Sequence, residues 1–244
     1  MFGLLAMIVL GAAQAADVEH QLRWSIAIEG QPVGERTLTV RYLPDGDGTR
    51  RVLESLTHVE ASVAGFNYRF DQRLTAHASS GSASFSSVLK ENDVAREVQG
   101  RPTPFGWSVS LSERGRTRSW ELEGPDVDLS TADLIDPGTR RSLGALDTVH
   151  LLSAETGEVL TGKVEHLGTK AITLRGVDVP VDGLAIVSDQ GRQELWYSTD
   201  GALVRYQLSA MGKALIATLV DQPPAGVDDT PVTVGAAGIT ETDL

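Results

Sequence analysis

Histidine is the side chain in this sequence best suited to metal binding or acid–base catalysis. It occurs five times: His20, His58, His77, His150 and His166. No two of them are one, two or four residues apart, so neither an H-x-H pair nor an H-E-x-x-H helix is present. His58 falls on the polar face of a predicted strand, which is typical of a surface residue. A metal site would need histidines from distant strands, and we predict no metal and no cofactor.

Other catalytic patterns are equally weak. The sequence contains no G-x-S-x-G elbow for a serine nucleophile. Its G-x-G at Gly46-Asp47-Gly48 lies in an acidic turn that would repel phosphate. Carboxylate pairs such as Glu97/Glu113 and Glu121/Glu123 are typical of the solvated face of strands. We therefore predict that the protein is not an enzyme.

The composition excludes further classes. There is no cysteine, which rules out disulfides, thiol catalysis and thiolate metal sites. The formal net charge of −12, with no opposing basic patch, argues against nucleic-acid binding and favours solubility.

The N-terminal residues predict export. Residues 1–16 carry no charged side chain, are apolar from Phe2 to Leu10, and end in an A-x-A pattern at Ala13-Gln14-Ala15. This predicts a secretory signal peptide that is too short to span a membrane, and no later stretch predicts a transmembrane segment. We expect a periplasmic or secreted protein with one β-rich domain over residues 17–221 and a disordered acidic tail over 222–244.

Alternation of apolar and polar side chains predicts that the domain is mainly β. Two stretches are hairpin-like, each with a tryptophan on its first arm: Leu22–Tyr42 near the start and Glu194–Ala210 near the end. Turn signals at intervals of about eight to ten residues are typical of an antiparallel meander. The stretch Ala214–Val220 is apolar on both faces and predicts a central strand.

Three stretches depart from simple alternation. The apolar positions change parity at Ala64-Gly65, which predicts a bulge or tight bend within a strand pair or one long bent strand. The Ser/Gly-rich stretch Ser79–Ser87 still alternates at its end, so we interpret it as a hairpin or small-residue strand. Between Leu129 and Leu152 the alternation stops. We predict one short helical segment around 130–152, divided by Pro137-Gly138, with a second helical part around Arg141–Leu152.

The opening hairpin also resembles a known family. Residues Trp24–Val40 read W-x-I-x-I-E-G-Q-P-V-G-E-R-T-L-T-V, which is similar to the start of bacterial periplasmic proteins of the domain of unknown function 6134 family. The related domain of unknown function 3108 family opens in a similar way. Further family-like pieces follow in order: Asn67-Tyr68-Arg69-Phe70, Leu146-Asp147-Thr148, Thr156-Gly157-Glu158, Leu195-Trp196-Tyr197, Asp200-Gly201 and Leu203-Val204-Arg205. The resemblance covers residues 19–221 and implies a curved antiparallel sheet that closes to a barrel or half-barrel. It implies no catalytic residue, since the family has none assigned.

Aromatic side chains form the remaining candidate site. They are Trp24, Phe66, Tyr68, Phe70, Trp107, Trp196 and Tyr206. One interpretation is a core between the sheet and its helical cover. The other is a lining for an apolar ligand on the concave face of the curved sheet.

Two functions follow from these alternatives. The first is an exported protein that binds or carries a lipid-like apolar molecule. The second is a structural or assembly partner of a cell-envelope complex, which binds another protein through a sheet edge. An enclosed cavity beside the aromatic residues would favour the first, whereas a solid inner face and a bare edge strand would favour the second.

Overall fold

The computed structural model describes residues 18–45, 48–63, 66–79, 82–136, 139–210 and 213–221. Most of these residues belong to one β-sheet, and helix is restricted to three short turns. The predicted signal peptide and acidic tail lie outside the described residues and stay predictions. So does the parity change at Ala64-Gly65.

The sheet has fifteen strands in the described part of the chain. In chain order they are β1 Val18–Ile28, β2 Gln31–Asp45, β3 Gly48–Val63, β4 Phe66–Ser79, β5 Ser82–Glu91, β6 Val94–Thr103, β7 Gly106–Glu113, β8 Arg116–Glu123, β9 Leu129–Ser130, β10 Thr148–Leu152, β11 Val159–Leu174, β12 Val177–Ser188, β13 Gly191–Ser198, β14 Leu203–Ala210 and β15 Lys213–Asp221. Two 3-10 turns, Gly124–Asp126 and Asp133–Ile135, and the one-turn helix α1, Thr139–Leu143, lie between β8 and β10.

The described part of the chain begins in the middle of the sheet and returns there. Strands β1 to β8 run as a meander from the centre to one edge, and β10 to β15 run from near the opposite edge back to the centre. There β15 pairs with β1. All neighbours are antiparallel except β9 and β10. The central position of β15 confirms the prediction for Ala214–Val220.

The connection between the two edges requires a strongly curved sheet. Fourteen strand spacings in a flat sheet would separate β8 from β9 by about 65 Å. The chain from Glu123 to Leu129 can span only about 20 Å. The sheet must therefore curl until its edges approach each other, although β8 and β9 do not pair within the described ranges. This confirms the prediction of a mainly β, curved antiparallel half-barrel.

Side-chain packing joins the two edges where hydrogen bonds do not. The Trp120 ring on β8 lies against Gly157 in the turn between β10 and β11. A Cβ at position 157 would lie 3.0 Å from two atoms of that ring, and the backbone φ there is +72°. Glycine meets both requirements because it has no side chain and adopts positive φ readily.

Alternation places one face of each strand inside the curve. On β1, Leu22, Trp24 and Ile26 are buried, and on β2 Leu38 and Val40 are buried. These residues belong to one large inner core that extends across both halves of the sheet. Burial of alternate residues therefore confirms that the opening hairpin consists of two strands, as its alternation predicted.

Tight turns connect many of the strands. The β1–β2 turn has φ of 51° at Glu29 and 80° at Gly30, and the β7–β8 turn has 51° at Arg114 and 74° at Gly115. Two successive positive φ values are typical of the two-residue hairpins that match strand twist. Ser79 ends β4 and Ser82 begins β5, so the serine-rich stretch is a hairpin as predicted.

The prediction for residues 141–152 was partly wrong. A helix forms only at Thr139–Leu143, whereas Thr148–Leu152 is strand β10, paired with β11 and β9. The three apolar residues Val149, Leu151 and Leu152 are fully buried. This short strand carries too few alternating positions for its period to be recognised, and its pairing with β11 decides its conformation.

Candidate ligand-binding cavity

A cavity of about 390 Å³ lies against the inner face of the curved sheet. Its wall comes from β1 to β4 on one side and β13 to β15 on the other. Residues 131–135 and 153–160 complete the wall where the two edges of the sheet approach each other. Small-molecule sites in proteins have volumes of about 300–1,000 Å³, so this cavity is large enough for one such ligand.

The cavity wall is mainly apolar. Its apolar side chains include Val59, Phe70, Leu74, Leu134, Leu208 and Leu215. Removing apolar surface from water stabilises a complex by about 25 cal/mol per Å², so this wall favours the hydrocarbon part of a ligand.

A short polar row crosses this apolar face. Arg36 on β2 lies opposite Thr57 on β3, and Thr57 lies opposite Gln72 on β4. All three side chains line the cavity. The Gln72 amide donates a hydrogen bond to the Ser87 hydroxyl at 3.0 Å, which holds it against the wall.

Arg36 brings a positive charge into this apolar setting. Its Nε donates a hydrogen bond to Ser55 Oγ at 2.8 Å. Burial lowers the pKa of the guanidinium from its ordinary value, whereas nearby Glu155 and Tyr206 raise it. The group stays charged at neutral pH because the ordinary pKa of arginine lies so far above neutrality.

The Glu155 carboxylate is held in the cavity by neutral donors. It accepts hydrogen bonds from Ser153 Oγ at 3.1 Å, Thr131 Oγ1 at 3.2 Å and Gln72 Nε2 at 3.4 Å. Among the described residues, no ion pair joins it to Arg36. The cavity lining thus contains one cation, Arg36, and two carboxylates, Glu155 and Glu158, and no ion pair joins either carboxylate to Arg36 among the described residues.

Two tyrosines add hydroxyl groups to the lining. Burial, together with the Glu155 carboxylate, raises the pKa of Tyr206 well above its ordinary value. Burial and the adjacent Glu91 raise the pKa of Tyr68 to about 12. Both phenols are therefore protonated at neutral pH and act as neutral hydrogen-bonding groups.

The structure separates the predicted aromatic residues into several environments. Tyr68, Phe70 and Tyr206 line the cavity. Trp24 belongs to the inner core, and Trp107 packs against that core next to Phe85, with 6.2 Å between the ring centroids, but neither lines the cavity. Nothing is described of the Phe66 side chain. Whether any of these residues contacts a ligand stays a prediction.

Trp196 requires a correction, because it lies on the outer face of the sheet. It packs in a small separate cluster with Ile172, Val181 and Val204, while its neighbours Leu195 and Tyr197 belong to the inner core. Adjacent residues of a strand point to opposite faces, so Trp196 and Trp24 cannot be assigned to one face by their similar positions in two hairpins.

The polar side chains of the cavity were not predicted from the sequence. Arg36 has the same parity as Leu38 and Val40, and Gln72 has the same parity as Phe70 and Leu74. Extending the alternation to charged and amide residues would have placed both on the inner face. No such signal exists for Glu155, because it lies in a turn outside the strand pattern.

A second depression, of about 960 Å³, is less suited to an apolar ligand. It is formed by α1, β11, β12 and the turn at 199–201, and Leu184 is its only large apolar lining residue. Two of its charged residues, Arg140 and Asp182, already form an ion pair. Within the described ranges, no group of three or more His, Asp or Glu residues is placed to hold a metal ion. No helix there is long and apolar enough to cross a membrane.

Comparison with known proteins shows the fold. No family model matches the sequence, and no curated protein matches it. A similar solved structure is the crystal structure of a beta-barrel-like protein of domain of unknown function DUF1849 from Brucella abortus. The two chains have a TM-score of 0.61 and 11% sequence identity, and the match covers 84% of this chain and 97% of that chain. The protein therefore has the fold of a beta-barrel-like domain of unknown function.

Proposed function

We propose that this protein is a binding protein without enzymatic activity that takes up an apolar small molecule in the cavity of its curved sheet. The observation that carries the proposal is the mainly apolar cavity of about 390 Å³ on the inner face. A concave, mainly apolar pocket of this size that is open to solvent is the usual form of a small-molecule site.

Uptake of a neutral fluorophore such as N-phenylnaphthylamine tests the proposal. We expect saturable binding with one site and an increase in fluorescence, because the dye moves from water into an apolar cavity. The variant Thr57→Trp places a large side chain in the cavity and should weaken binding by about tenfold or more, since an occupied volume cannot accept the ligand.

The neighbouring residue supplies a matched control. Leu56 lies on the opposite face of β3 and is 51% exposed. The variant Leu56→Trp adds the same ring outside the cavity and should leave binding unchanged. Equal binding by wild type and both variants would place the dye elsewhere and contradict the proposal, as would the absence of saturable binding by the wild type.

The alternative of a protein partner at a sheet edge is less well supported. The edge strand β8 carries Arg116, Arg118, Glu121 and Glu123, and charged residues are a common means of preventing strand addition. At the other edge, β9 has only two residues. Neither edge offers a long apolar strand for pairing.

Two expectations from the sequence belong to the same proposal. The leader at residues 1–16 supports export to the periplasm or the medium, which N-terminal sequencing of the mature protein would test. The motifs in Trp24–Val40 and in the closing hairpin support a relationship to the domain of unknown function 6134 family.

A further inference from the structure

Arg51 and Arg36 lie on neighbouring strands and both point into the curve of the sheet, but they differ in how they are paired. Arg51 has the same parity on β3 as the buried residues Leu53 and Ser55. Its guanidinium forms a two-bond ion pair with Asp136, with Nη1 donating to Oδ1 at 2.7 Å. This arginine is neutralised by the protein itself.

Arg36 has no comparable carboxylate partner. Its Nε binds the neutral Ser55 hydroxyl, and the described residues provide no hydrogen bond or ion pair to its two terminal nitrogens. Those nitrogens belong to a side chain that lines the apolar cavity. Arg36 is half-buried, and a guanidinium that is partly removed from water without a paired anion gains from a charged hydrogen bond to a ligand.

We propose that Arg36 makes the cavity specific for an amphipathic anion, in which a hydrocarbon chain lies along the apolar wall and a carboxylate head binds the guanidinium. This inference rests on the proposed function and specifies its ligand class. The two terminal nitrogens present parallel N–H groups whose spacing matches the two oxygens of a carboxylate.

The Glu155 carboxylate repels an anionic head group, so a variant at Glu155 gives a second test of the proposal. Its carboxylate lies in the same cavity and close enough to influence the pKa of Arg36. An anionic head group at Arg36 is therefore repelled by Glu155, at a separation set by the Thr131 and Ser153 hydroxyls that hold it. Removing the charge of Glu155 should strengthen the binding of an anion, whereas removing that of Arg36 should weaken it.

Calorimetric titration of the full chain with dodecanoate and with dodecanol at neutral pH tests the inference, because the two probes share one chain and differ in head-group charge. We expect Arg36→Gln to weaken dodecanoate binding by about tenfold or more and to change dodecanol binding by less than about twofold. Arg36→Lys keeps the charge but loses the planar fork, and should give an intermediate loss. Glu155→Gln should strengthen dodecanoate binding alone.

The control variant Arg73→Gln removes the same charge from the outer face, where Arg73 pairs with Glu54, and should affect neither ligand. If wild type binds both probes and Arg36→Gln changes neither or both equally, the anion specificity is wrong while the proposed function stands. If wild type binds dodecanol but not dodecanoate, the anion specificity is likewise wrong and the proposed function likewise stands. If wild type binds neither probe, the proposed function fails and the inference fails with it.

Discussion

The hairpins β1–β2 and β13–β14 look alike in sequence but place their tryptophans on opposite sides of the sheet. They flank β15 at the sheet centre, and each has its tryptophan on the first strand. Trp24 is on the inner face, where its indole Nε1 donates a hydrogen bond to the Leu203 carbonyl at 2.9 Å. Trp196 is on the outer face, where it covers Gly183 and lies beneath the Lys170 ammonium group, with 3.3 Å between Nζ and the ring centroid.

The difference teaches that a tryptophan in an alternating strand marks a buried position without specifying which face is buried. Trp24 and Trp196 are 2% and 5% exposed, so burial alone does not distinguish them. Their hydrogen bonding does. The Trp196 indole nitrogen is buried without a partner among the described residues.

The largest effect should come from removing the inner tryptophan. We expect Trp24→Ala to lower the free energy of unfolding by about 3–5 kcal/mol, because it leaves a cavity in the core and an unpaired Leu203 carbonyl. Urea denaturation followed by circular dichroism measures the change. Trp107→Ala, at a half-buried ring, is the matched control and should cost less. A loss below about 1 kcal/mol for Trp24→Ala would show that the inner ring does not anchor the core.

A smaller effect should come from crowding the outer tryptophan. A Cβ at Gly183 would lie 2.4 Å from the Trp196 ring, so Gly183→Ala should lower the free energy of unfolding by about 1–3 kcal/mol. In a Trp196→Leu background the same substitution meets no ring and should cost much less. Equal costs in both backgrounds would mean that the strain lies in the backbone instead.

The smallest effect should come from the cation above the outer ring. Lys170→Gln removes the ammonium–indole contact at an exposed position, so we expect a loss of about 0.5–1 kcal/mol. Thermal unfolding at low and high salt measures it, and the loss should vanish when Trp196 is replaced by leucine. A loss that persists in that background would assign the effect to Lys170 alone.

Much of the fold was accessible from the sequence because strands obey a local rule. Alternation of side chains correctly predicted strands in the opening hairpin and the exposure of His58, and the run of apolar residues correctly predicted the central strand β15. It failed at β10, where five residues are too few to show a period. It also failed to include Arg36, since a charged residue on an apolar face was not considered a cavity residue.

By itself, then, the sequence determined most of the long strands, their turns and the division of each strand's side chains between two faces, because these depend on residues that are close along the chain. Tertiary structure alone decided which of the two faces became the inside at Trp24 and at Trp196. It also decided how near the edges β8 and β9 approach each other, and that Arg36 and Glu155, which are distant in sequence, share one cavity. The physical reason is that curvature and register arise from pairing between distant strands, and alternation within a strand carries no information about its neighbours.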